Sequence, residues 1–241
     1  MNRTPVAALS GLVVAACVAV VAAQTPDLAA KIQKFGESAK ANAGALRAYA
    51  WKQRVQVTLK GEAKPAKLYQ MRYDVDGKVQ KTELTSEAPK KEPEKEDRGR
   101  DRGRRGGDAV KKQIVENKIE DAKEYAAALA DLCKDYLAPS PDLLTAFFSK
   151  AKPTQVPGGM VQLTGQDVLT KGDKLVYEID ADTQALKRVM FTAPLEGDPV
   201  DGTVEFGSVP NGGPNYAARV TVNAPAKKLT ATIENFEYVK Q

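Results

Sequence analysis

Tyr49-Ala50-Trp51-Lys52-Gln53-Arg54-Val55-Gln56-Val57-Thr58-Leu59-Lys60 is the stretch on which the reading of the fold turns. Tyr49, Trp51, Val55, Val57 and Leu59 recur at every second position with Gln53 among them, while Lys52, Arg54, Gln56, Thr58 and Lys60 fill the alternate places. Successive side chains of an extended chain point to opposite faces, so the stretch predicts a strand with one buried and one wet face. Its register is fixed by the same pattern, because a one-residue slip would bury Lys52 and Arg54.

Working outward, Gly61-Glu62-Ala63-Lys64-Pro65 interrupts the alternation, which resumes as Tyr69, Met71, Tyr73 and Val75 against Gln70, Arg72 and Asp74. The two runs predict an antiparallel hairpin. Asp76-Gly77 is a turn signal, and a weaker strand is expected from Lys78 to about Leu84. On the N-terminal side, Thr25-Pro26-Asp27 offers a helix cap, a proline at the first helical position and an acid in the first turn. Leu28, Ile32, Phe35 and Ala39 then form one apolar stripe, and Asn42 to Gly44 is expected to end the helix.

Residues 86–108 carry Lys, Arg, Asp, Glu, Pro and Gly with no aromatic or large aliphatic side chain, and are expected to be a disordered, solvated insertion. Its basic half, Arg98, Arg100, Arg102, Arg104 and Arg105, offers contact with an anionic envelope surface; without an aromatic stacking residue, nucleic acid is not expected as a partner. Asp108 can cap a long helix to about Leu137, and Ser140-Pro141-Asp142 opens a short one built on Leu143, Leu144, Phe147 and Phe148. From Met160 the text is a meander of short strands and turns. In the last of them the apolar parity passes from Leu229, Ala231 and Ile233 to Phe236 and Tyr238, which predicts a bulge near Glu234-Asn235.

Residues 1–23 read as a secretory signal peptide: Arg3 in a short leading segment, an uncharged run from Val6, and small residues before Gln24. The rivals are a retained membrane anchor and a lipobox, Val14-Ala15-Ala16-Cys17, which would leave a lipoprotein anchored at Cys17. Export to the periplasm with residues 24–241 as a single domain is the expected organisation. Cys133 would then be unable to close an internal disulfide and reads as a small apolar residue on a helix face, a reactive thiol being the alternative.

The chain of 241 residues has no histidine and a formal charge of +5. Histidine-based triads, dyads and zinc sites are thereby excluded. Asp180 and Asp182 lack the glycine and terminal glutamate of a calcium loop and read as turn residues; neither glycine pair, Gly158-Gly159 or Gly212-Gly213, matches a phosphate-binding loop. No catalytic residue, metal site or cofactor is expected, and the chain is read as not an enzyme. What stands out is the set Tyr49, Trp51, Tyr69, Met71 and Tyr73, which adjacent strands place on one face, as core or as a ligand-lining surface.

A signal peptide, an N-terminal helix, a long hairpin, mid-chain helices and a closing meander resemble the bacterial outer-membrane lipoprotein carriers. Leu46-Arg47-Ala48-Tyr49-Ala50-Trp51-Lys52-Gln53-Arg54-Val55, Val204-Glu205-Phe206 and Ala224-Pro225-Ala226-Lys227-Lys228-Leu229 are also similar to exported bacterial proteins. The resemblance implies an α+β fold, an antiparallel open half-barrel sheet packed against the N-terminal and mid-chain helices. It also implies a carrier-like protein holding an acyl chain, lipid or lipoprotein, with Tyr49, Trp51, Val55, Tyr69, Met71, Tyr73, Phe147 and Phe148 as lining. The alternative is an envelope interaction module whose core is filled and takes no ligand.

Overall fold

The computed structural model describes residues 26–86, 124–136 and 141–241, with the backbone alone at 26–33, 35, 85, 86, 141, 142 and 145. The expected signal peptide with Cys17, the charged insertion beyond Ser86, and the first half of the long helix lie outside the described residues. In chain order the elements are α1 (Pro26–Leu46), β1 (Tyr49–Leu59), β2 (Glu62–Ala63), β3 (Lys67–Tyr73), β4 (Val79–Ser86), α2 (124–136), α3 (Pro141–Lys150), β5 (Lys152–Val156), β6 (Met160–Gln166), β7 (Lys174–Asp180), β8 (Leu186–Leu195), β9 (Asp198–Ser208), β10 (Asn215–Ala224) and β11 (Leu229–Lys240).

The strands form one antiparallel sheet of order β4-β3-β1-β11-β10-β9-β8-β7-β6-β5, with β2 beside β1. The outer strands β4 and β5 do not meet, so the sheet is the open half-barrel of an α+β fold. A long-range pair joins its two ends of sequence: β11 lies on β1, from Leu59 against Leu229 to Tyr49 against Lys240.

One face is covered by helices. On α2, Tyr125, Leu129, Cys133 and Tyr136 recur at helical spacing and are buried, as are Leu143, Leu144, Phe147 and Phe148 on α3. They meet Leu163, Leu175, Tyr177, Val189, Phe191, Val200, Val204, Val220 and Val222, the inward residues of β6 to β10. Ala39 of α1 joins this cluster. The helix α1 runs past its expected end because Asn42 does not fold back on its own turn: its side chain donates to Asn215 O (2.6 Å) and accepts from Asn215 N (2.5 Å), tying the helix to β10.

The opposite face carries a row of charges in register across six strands. Glu178, Arg188, Glu205, Arg219, Glu234 and Arg54 face one another in turn on β7, β8, β9, β10, β11 and β1. Glu178 lies 3.5 Å from Arg188, Arg188 3.7 Å from Glu205, and Glu234 lies 2.6 Å from Arg219 and 3.7 Å from Arg54. Exposed pairs of this kind contribute about 0–1 kcal/mol each. Their use is to specify register, since a slipped strand would lose every pair at once. Glu234→Lys sets like charges against both neighbours and is expected to cost about 1–2 kcal/mol. The urea midpoint should fall accordingly, and adding Arg219→Glu should recover part of the loss.

Three local expectations are corrected. Val75 is fully exposed at the tip of a turn in which Asp74 Oδ1 accepts the N–H groups of Asp76 and Lys78, so β3 stops at Tyr73. A strand was not foreseen at Lys152–Val156, because Lys152-Pro153-Thr154-Gln155 shows no apolar alternation; an edge strand tolerates proline, one side of it having no partner. The bulge in β11 falls at Glu237 rather than near Glu234-Asn235: Lys52 faces Phe236, Ala50 faces Val239, and Glu237 takes φ 53°. Phe236 therefore lies on the outer face, under the Arg54 guanidinium at 5.7 Å, while Asn235 and Tyr238 turn inward to Trp51.

Candidate functional site

The inner face has two aromatic groups of different character. In the first, Phe147 contacts Phe148 and Tyr177 at 5.2 and 4.9 Å between centroids, and Tyr136 stacks on Phe191 at 4.7 Å. These rings rest directly on sheet backbone. A Cβ added to Gly165 would lie 2.8 Å from Phe147, and one added to Gly202 would lie 2.0 Å from Phe191. No room is left for a guest beneath them, so this half of the face is filled.

Asp173 ties α2 to this half. Its carboxylate, 2% exposed, accepts from Tyr136 Oη (2.5 Å) and from the backbone N–H groups of Val168, Leu169 and Thr170. Burial alone would raise its pKa, but the four hydrogen bonds outweigh it and hold the group below the usual carboxylate range. Tyr136 is pushed up, by burial first and then by its bond to Asp173. Cys133 is buried nearby with its thiol pushed up to about 12 by desolvation. It is expected to resist thiol reagents in the native protein and to react once denatured, which a timed titration with and without urea would show.

The second group belongs to β1, β3, β11 and the start of β10. Trp51 stacks on Tyr238 (5.5 Å, 5° between planes) and tilts against Tyr73 (5.4 Å), and Tyr216 follows Tyr238 at 4.1 Å. Met71, opposite Trp51 in the ladder, is fully buried. A polar pin fixes the platform: Trp51 Nε1 and Gln53 Nε2 both donate to Asn235 Oδ1 (3.2 and 3.0 Å), whose Nδ2 donates to Ala217 O (2.8 Å). Gln53 thus sits on an apolar face without an unsatisfied amide donor on Asn235's side.

From this platform toward the β1 tip the same face is aliphatic. Val55 faces Ile233, Val57 faces Ala231 and Leu59 faces Leu229, and all six are half-buried. Their partners one strand further, Val220, Val222 and Ala224 on β10, are buried. Cover is therefore thinner over β11 and β1 than over β10. At the margin, Lys67 on β3 faces Val55, Tyr69 faces Gln53, and the Lys81 ammonium of β4 stands 3.6 Å from the centroid of the Tyr69 ring.

The structure thus brings together Trp51, Met71 and Tyr73, sets Tyr69 and Val55 beside them on the same face, and leaves Tyr49 half-buried at the start of β1, opposite Lys240. Phe147 and Phe148 belong to the other group; among the described residues no ring contact joins the two. Sequence reading missed Asp173, which stands in the polar run Lys171-Gly172-Asp173-Lys174 with no local sign of burial, and missed Asn235 as a partner, although Gln53 was the visible signal: a lone amide on an apolar strand face requires one. Asp180 is a turn residue as expected, its Oδ1 accepting from the N–H groups of Asp182 and Thr183. On the outer face, Arg54, Glu205, Arg219, Glu234 and Phe236 line an open depression of about 540 Å³, but its charges largely compensate one another.

Two solved structures are similar to the chain over most of its length. A DUF1329 family protein from Desulfovibrio piger matches at 8% identity and TM-score 0.36, covering 89% of this chain and 91% of its own. A LolA superfamily protein from Nitrosomonas europaea matches at 9% identity and TM-score 0.36, covering 87% and 93%. At this level of likeness neither neighbour locates a site in this chain. No protein-family model matches the sequence, and no curated protein does.

Proposed function

We propose that the chain is an exported, non-enzymatic binding protein of the carrier type that holds an acyl chain, as part of a lipid or a lipoprotein, on the inner face of β1 and β11. One observation carries this reading: the inner face is closed by α2 and α3 over β6 to β10, yet six aliphatic side chains in register, Val55 to Leu59 and Leu229 to Ile233, stay half-buried beside a pinned aromatic platform. Apolar area left beside a core is a binding surface when an apolar guest can complete its burial, at about 25 cal/mol per Å². Trp51, Met71 and Tyr73 form the firm end of the site, with Tyr49 beyond it at the start of β1, Val55 and Tyr69 form its wall, and Phe147 and Phe148 are the packed limit of the interior. The filled core of the alternative reading corresponds to the β6 to β10 half, against whose edge Leu229 and Ile233 also pack.

Trp51 is 2% exposed and is the only tryptophan, so the free protein should already emit at short wavelength. A fatty acid brominated along its chain should quench that emission saturably at micromolar concentration, and the unbrominated acid should reverse it. Val57→Asp, which places a charge in the strip, should abolish the effect while leaving the emission maximum in place. Emission indifferent to every acyl ligand would instead favour an interaction module without a guest.

A further inference from the structure

The margin of the aliphatic strip carries a net positive charge. On the inner face of β3 and β4, Lys67 faces Val55 across the ladder, Lys81 faces Met71, and Glu83 faces Tyr69. The face thus holds two ammonium groups and one carboxylate, and among the described residues neither lysine closes an ion pair. Lys81 is half-buried over the Tyr69 ring. A cation in that position is stabilised by the ring, and among the described residues no carboxylate stands within ion-pair distance of it. Burial, and next the Lys67 charge, lower its pKa, with Glu83 opposing, so the site as it stands disfavours the ammonium and a bound anion would favour it.

The strip also has a size. Val55 to Leu59 is five residues of strand, about 13 Å at ~3.3 Å per residue, and two side chains wide. One leaflet of a bilayer core is ~15 Å deep, so the strip suits the length of one acyl chain and its width suits one rather than two. We infer that the ligand is a single acyl chain ending in a carboxylate, its tail along Val55, Val57 and Leu59 and its headgroup between Lys67 and Lys81. The inference rests on the acyl-binding reading above and adds the headgroup to it. A singly charged group matches the net single positive charge of Lys67, Lys81 and Glu83, and Lys67 lies beside the first aliphatic pair, where a headgroup and its tail must part.

The test is calorimetric titration of the full mature chain with hexadecanoate, hexadecanol and the lysophosphatidylglycerol of the same chain length. Hexadecanoate should bind at least tenfold more tightly than hexadecanol. Lys81→Gln and Lys67→Gln should each weaken hexadecanoate several-fold and leave hexadecanol unchanged, Lys81→Arg should keep the preference, and Lys64→Gln, at the exposed hairpin tip, should change nothing. Unchanged melting temperatures would exclude misfolding as the cause. Equal binding of acid and alcohol, or lysine variants that weaken both alike, would overturn the headgroup site while leaving acyl binding intact. Preference for the phosphodiester with the same lysine dependence would overturn the carboxylate. Binding of none of the three would overturn the acyl-binding reading itself.

Discussion

Asp173→Ala is expected to lower stability by about 3–5 kcal/mol, because it leaves three backbone N–H groups and the Tyr136 hydroxyl without their acceptor in a buried site. The loss is not confined to one turn. Tyr136 is the last described residue of α2 and Asp173 stands at the entrance to β7, so this bond holds the helical cover onto the sheet. Asp173→Asn, which keeps an acceptor oxygen but no charge, should cost about 1–3 kcal/mol. The pH dependence follows from the direction of the shift. A carboxyl whose folded pKa is depressed contributes stability that is present above its unfolded value, near 3.9, and is lost as pH falls through the folded value. Acid unfolding of the wild type should therefore show a component below about pH 4 that Asp173→Asn lacks. Tyr136 acts at the other end: its raised pKa contributes stability present below about pH 10 and lost as pH climbs beyond it. Urea midpoints measured across pH for the wild type, Asp173→Asn and Tyr136→Phe would separate the two.

Gly202→Ala carries the second large effect. The new methyl would lie 2.0 Å from one ring atom of Phe191 and 2.4 Å from the next, well inside contact distance. The ring must move, and it is the ring on which Tyr136 stacks. Overpacking a core at one methyl typically costs about 1–3 kcal/mol, and the disturbed stack puts this site at the upper end or above. Phe191→Leu in the same chain should recover part of the loss, because the smaller side chain vacates the space over Gly202; additivity of the two substitutions would show that they do not meet.

Strand β1 was legible because its two faces differ at every step, and β3, α3 and the Asp180 turn for the same kind of reason: a period or a turn residue repeats locally. Strand β5 was not, since its pairing with β6 is satisfied through the backbone while its side chains are solvated and carry no period. The bulge was legible in kind but not in place. Phe236 is aromatic and was assigned inward, whereas the Arg54 side chain covers it on the outer face and Lys52 reaches Glu237 at 2.5 Å, which draws the extra residue two positions further on. For the site, the platform residues could be found by alternation on β1 and β3, but their partner Asn235 lies 184 residues from Trp51 and only the β1–β11 pairing brings it there. Phe147 and Phe148 were grouped with that platform because both sets are aromatic and both face inward. The sheet order separates them, since five strands lie between β6, under Phe147, and β1.

The proposed division of the inner face, a filled half beside one that would take a guest, is tested most directly by intermolecular NOEs between uniformly labelled hexadecanoate and the methyl groups of the protein. Contacts from the chain to Val55, Val57, Leu59, Leu229, Ala231 and Ile233, with none to Leu163, Leu175 or Val189, are the predicted result. Contacts to Leu163, Leu175 or Val189, or the absence of any methyl contact at saturating ligand, would contradict it.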